Sequence, residues 1–123
     1  MEYERYSSDR NMPIGGTWVS LSGPVGRRGR ITQVTNNNQD QQNVIDLLAA
    51  IPRIHGGMKE HWQVTPLAGP SGSCPQFLAD AIWDFQSWWK RIGVFKNIDG
   101  VVDPGGNTLK QLNFLASASK MSS

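Results

Sequence analysis

A chain of 123 residues, 38% of them hydrophobic and five of them tryptophan, has the size and aromatic content of one folded domain with a single core, which argues against two domains or a disordered chain. Its formal net charge is only +2, and only Arg27, Arg28 and Arg30 cluster, so the electrostatic footprint of a nucleic-acid partner is weak. The single cysteine, Cys74, leaves no internal disulfide and no cysteine-rich zinc site.

Residues 1–6 are charged where a secretory signal needs an apolar core, and no later stretch approaches a membrane-spanning length. The expected setting is synthesis in the cytoplasm without a general secretory signal, with no nucleic acid and no membrane among the partners. Residues 1–19 read as an N-terminal arm. Trp18, Val19 and Leu21 then suggest a short extended piece, which Gly23-Pro24 breaks. Residues 25–30 form a glycine-punctuated basic loop, and residues 31–35 suggest a second extended piece. A phosphate-cradling loop would need a lysine and a serine or threonine opening a helix; they are absent, which favours a solvated turn.

Asn38, with Gln41 three residues on, has the spacing of a helix start. Val44, Leu47, Leu48 and Ile51 repeat at i, i+3, i+4 and i+7, so an amphipathic helix is predicted over 39–52, ended by Pro52. Residues 55–72 are the longest irregular stretch, and loops of that length in a small domain are usually functional or mobile. His55 and His61 within it have no third ligand of clear spacing, so no metal is assigned to them.

Pro75 suits the first position of a helix over 75–92, with Ser73 or Cys74 as cap and Gly93 as stop. Its apolar stripe is Phe77, Leu78, Ala81, Ile82, Phe85, Trp88, Trp89 and Ile92. At about 100° per residue, Trp83 lies roughly 160° from Phe85 and points away from the core. Asp80 and Asp84 are one turn apart and read as a solvated face rather than a glycosidase pair. Cys74 at a helix start is expected to have a lowered pKa and, with His55 or His61, is a candidate nucleophile; the competing reading is a buried, apolar thiol.

Residues 98–113 pack an Asp-Gly turn, a short apolar step, a Pro-Gly-Gly bend and a helix start into sixteen positions. Thr108 and Gln111 have capping-box spacing, and Leu109 and Leu112 share a face, predicting a helix over 108–116 that docks on Phe85, Trp89 and Ile92. The tail, 117–123, is small and polar and is expected to fray.

Three segments, set in order, resemble the peptidoglycan-binding domain family. Ser22-Gly23-Pro24-Val25-Gly26-Arg27-Arg28-Gly29, followed by Asp40, Val44 and Leu47-Leu48, is similar to an S-V-G-x-G-G loop and the D-V-x-x-V-Q-x-L-L helix after it. Gly72-Ser73-Cys74-Pro75, running to Ala81-Ile82-Trp83-Asp84-Phe85-Gln86, is similar to D-G-x-C-G-P-x-T-x-x-A-I-x-x-F-Q, without the aspartate and threonine of that loop. Asp99-Gly100-Val101-Val102-Asp103-Pro104-Gly105-Gly106-Asn107-Thr108-Leu109, with Leu112-Asn113, is close to D-G-x-V-D-P-G-G-x-T-L-x-x-L-N and is the most specific of the three.

The resemblance implies a mainly all-α fold over residues 20–116, a compact three-helix bundle of two loop-helix half-repeats with an irregular or short-strand N-terminal extension. It also implies a non-catalytic module that binds peptidoglycan or a muropeptide; with no secretory signal expected, the route to the wall would be a contractile secretion machine or a phage. Such a ligand needs an apolar platform and nearby amides, for which Trp83, Gln86, Trp62, Asn97, Asn107 and Asn113 are the candidates. No cofactor or metal is expected. The alternatives are an adaptor or inhibitor that keeps the fold and docks on an effector or lytic enzyme, and a small cell-wall hydrolase using Cys74 and a histidine.

Overall fold

The computed structural model describes residues 18–27 and 34–122, with backbone alone for 119–122. In chain order these form β1 (Val25–Gly26), α1 (Asn38–Ala50), a 3-10 turn (Arg53–His55), α2 (Gln76–Ile92), β2 (Val101–Val102) and α3 (Asn107–Ser122). The fold is mainly helical, a three-helix bundle closed by a two-stranded antiparallel sheet that pairs Val25 with Val102 and Gly26 with Val101. Residues 1–17 of the expected arm, 28–30 of the basic loop and 31–33 of the second extended piece lie outside the described residues.

The helices fall close to where periodicity puts them, and Gly93 ends α2 as expected, but their starts differ from the expected caps. Asn37, not Asn38, caps α1, its side chain accepting from the Gln39 and Asp40 N–H groups. Gln41 turns inward instead of closing a capping box. Pro75 precedes α2 rather than opening it, and its carbonyl accepts from the Leu78 and Ala79 N–H groups. Neither Ser73 nor Cys74 caps that helix.

α3 begins at Asn107, and the Gly106 carbonyl receives the Lys110 N–H. The Thr108–Gln111 capping box does not form, because Gln111 is buried and the Thr108 hydroxyl accepts from Gln86 instead. The helix runs on to Ser122, through the tail expected to fray. Leu112, Leu115, Ala116 and Ser117 are buried, and α3 packs along α1, so tertiary burial carries the helix past residue 116.

The core collects Val44, Ile45, Leu48 and Ile51 from α1, Leu78, Ile82, Phe85 and Trp89 from α2, and Leu109, Leu112 and Leu115 from α3. Ile92, expected in the same stripe, is 53% exposed. The reason lies just beyond Gly93, where the Val94 and Phe95 N–H groups both bond the Trp89 carbonyl and fold the chain back. Phe95, 6.4 Å from Phe85 between ring centroids, covers the core at that point.

Each half of the bundle uses one buried glutamine to hold the loop that follows it. On α1, Gln41 accepts from the Gly69 N–H and donates to the carbonyls of Asn36, Pro70 and Ser73. On α2, Gln86 accepts from the Gly100 N–H and donates to the Val101 carbonyl, the Asp99 carboxylate and the Thr108 hydroxyl. The half-repeat is therefore a helix, an inward amide and a glycine-bearing loop that launches the next helix.

Candidate functional site

Two recesses border α2. The first lies between that helix and the turn after the 3-10 segment, has a volume of about 530 Å³, and is lined by Met58, Trp62, Phe77, Asp80, Ala81, Trp83 and Asp84. The turn is fixed by the Met58 N–H on the Leu48 carbonyl and the Trp62 N–H on the Met58 carbonyl. These bonds bring Trp62 edge-on against Phe77, 5.7 Å between centroids at 81°.

Trp83 is 52% exposed, on the outward face that helical spacing predicts. Its indole is braced from behind: a Cβ on Gly100 would stand 3.4 Å from the ring carbon Cε3 and 2.5 Å from the Arg27 carbonyl. Gly100, at φ +75°, thus allows the β1–β2 end of the sheet to approach the ring.

The two carboxylates of this recess are held from opposite directions. Asp84 accepts from Arg53 at 2.6 Å, whose guanidinium also sits 5.7 Å from the centroid of Trp88. Asp80 accepts from the Gln76 amide at 2.7 Å. Gln76 is held in turn by Arg27, whose remaining guanidinium nitrogens clamp the Cys74 carbonyl. The wall is therefore set before any ligand arrives.

The second recess, about 480 Å³, sits over the turn between β2 and α3, with Asn97, Asn107, Lys96, Asp99 and Asp103 among its walls. The six residues expected to meet a ligand thus divide. Trp62 and Trp83 share the first recess; Asn97 and Asn107, both exposed, line the second. Gln86 borders the second as well, but it is 2% exposed and its amide is committed to the turn.

Asn113, also 2% exposed, lines neither recess. Its side chain accepts from the Val19 N–H at 2.7 Å and donates to the Val19 and Leu109 carbonyls. Gln86 and Asn113 hold the fold together rather than present groups to a ligand. Their polarity suggested a site because sequence alone does not say which amides are turned inward.

Comparison with known proteins brings no relative to this arrangement. No family model, curated protein or solved structure matches the chain.

The groups expected to carry chemistry are placed differently. Cys74 is 5% exposed, and burial pushes its thiol up, against a smaller opposing pull from Arg27. The expected lowering is reversed because α2 starts at Gln76, leaving Cys74 ahead of the helix and inside the core. Among the described residues no group of three or more His, Cys, Asp or Glu side chains is placed to hold a metal ion. No helix among them is long and apolar enough to cross a membrane.

Asp80, Asp84, Phe77, Ala81 and Met58 are the lining residues that sequence reasoning did not assign to a site. Asp80 and Asp84 share the outward face of Trp83, so helical spacing already carried their signal. Met58 comes from an irregular loop and carried none.

Proposed function

We propose that this chain is a non-catalytic module that binds the glycan of bacterial cell-wall peptidoglycan in the groove between Trp62 and Trp83. The observation that carries the reading is the convergence of two tryptophans, 21 positions apart by number, on one recess whose α2 wall also holds two carboxylates. A sugar ring offers an apolar face of C–H groups that stacks on an indole, and hydroxyls that donate to carboxylates. The three family-like segments, covering residues 22–113, support the same reading. Delivery to the wall by a specialised secretion route or a phage fits a chain with this ligand.

Sedimentation with purified insoluble peptidoglycan tests it. The chain pellets with the sacculi, and Trp83→Ala, which touches a half-exposed ring, lowers the bound fraction about tenfold without lowering the melting temperature. A wild-type chain that stays in the supernatant overturns the reading.

The exposure of Ile92 and Val94 at the end of α2 favours a second reading, an adaptor or inhibitor that docks on an effector or lytic enzyme. Under it, sacculi leave the chain in solution, and adding the chain slows the clearing of a sacculus suspension by a lytic enzyme. The hydrolase reading is weakened by Cys74, whose buried thiol is pushed away from ionisation.

A further inference from the structure

The groove of Trp62 and Trp83 has a charge as well as a shape. Asp80 and Asp84 stand one helical turn apart on its α2 wall, and the other lining residues, Met58, Trp62, Phe77, Ala81 and Trp83, bring no cation. Asp84 shares its charge with Arg53. Asp80 is held by a neutral partner, the Gln76 amide.

Three aromatic rings border the same space. The face of each ring is the negative end of its quadrupole and attracts a cation within about 6 Å of the centroid. A carboxylate beside it adds a charge-assisted hydrogen bond to an ammonium group and repels a ligand carboxylate. The lining therefore discriminates between a protonated amine and a neutral amide on an otherwise identical ligand.

We infer that this groove selects a free amino sugar: a glucosamine unit of the glycan, de-N-acetylated, with its ring face on Trp83 and its ammonium toward Asp80. The inference rests on the wall-binding reading and sharpens its substrate class. A lysine-like chain satisfies the charge but has no ring face to stack on Trp83, and a recess of about 530 Å³ falls in the range of about 300–1,000 Å³ typical of small-ligand sites. An N-acetylglucosamine unit has the same ring face and lacks the charge, so the preference between the two sugars separates selection from binding.

Calorimetric titration of the full chain with a glucosamine tetramer and with an N-acetylglucosamine tetramer tests the inference. The glucosamine tetramer binds about tenfold tighter, and the advantage shrinks as salt is raised. Asp80→Asn, which keeps the shape of the wall, removes the advantage and brings the two tetramers to about equal affinity; Trp83→Ala weakens both. Equal or tighter binding of the acetylated tetramer by the wild type, or a preference that survives Asp80→Asn, overturns the inference and leaves wall binding standing. Sacculus binding with no affinity for either tetramer also overturns it. Failure of both tetramers and of sacculi overturns the wall-binding reading together with it.

Discussion

Gln86 commits both ends of its amide to the turn between β2 and α3, so that one side chain satisfies the Gly100 N–H and the Val101 carbonyl at once. Gln86→Leu keeps most of the volume but strands both groups in a buried setting. The expected loss is about 2–3 kcal/mol, read as a lower midpoint in urea at unchanged slope. Asn97→Ala, on an exposed side chain, is expected to stay within about 0.5 kcal/mol in the same measurement. At Cys74 the sign of the pH effect follows from burial. The folded thiol is held above its unfolded value, so its contribution is intact below the unfolded pKa and is lost as pH rises from there through the folded one. A thiol-alkylating reagent at neutral pH therefore labels the native chain only as fast as it opens and labels the urea-unfolded chain at the rate of a free thiol. Rapid labelling of the native chain would contradict the buried placement. Side-chain direction at this scale was legible for Trp83, whose angle on a long helix is fixed by the 3.6-residue period. It was not legible for Gln86, Gln41 or Asn113, because an amide reads as surface until the loop that it holds is in place.

Helices announce their apolar faces more clearly than their ends. The stripe of Val44, Leu47, Leu48 and Ile51 predicts α1 and all four residues are buried, because a periodic run of branched side chains has one way to leave water. The cap is a different problem: Asn36, Asn37 and Asn38 are chemically alike, and only the path of the chain selects among them. Asn36 is taken by the sheet, its side chain bonding the Gly26 N–H and carbonyl. Asn38 reaches the Gly69 carbonyl, which leaves Asn37 to cap. Asn37→Ala is expected to cost about 1 kcal/mol in thermal or chemical unfolding. The extra turns of α3 were likewise invisible, since Ser117-Ala118-Ser119 has no strong period and is ordered by its neighbours. The same limit applies to Ile92, whose helical position is right for the core and whose burial is decided by the reversal at Gly93.

For the molecule as a whole, the sheet is small but ties the two half-repeats together. Gly26, at φ +134°, lies so close to the partner strand that an added Cβ would stand 2.1 Å from the Gly100 carbonyl oxygen. Gly26→Ala therefore parts the strands and shifts Gly100, the residue that backs Trp83. Its expected effects are a loss of more than about 2 kcal/mol in stability and, where the domain still folds, weaker binding in the sacculus assay with the tryptophan itself unchanged. The side chain of Asn113 closes the fold in another way, by gripping Val19 across 94 positions of sequence. Its donor and acceptor reach the segment from α3, which a ribosome makes after α1 and α2. A nascent chain that has made α1 and α2 still lacks both this clamp and the β2 partner of Val25. The order of synthesis therefore sets a kinetic condition: Val19 and Val25 lack these partners until β2 and α3 emerge, and folding is slower than three local helices alone would give.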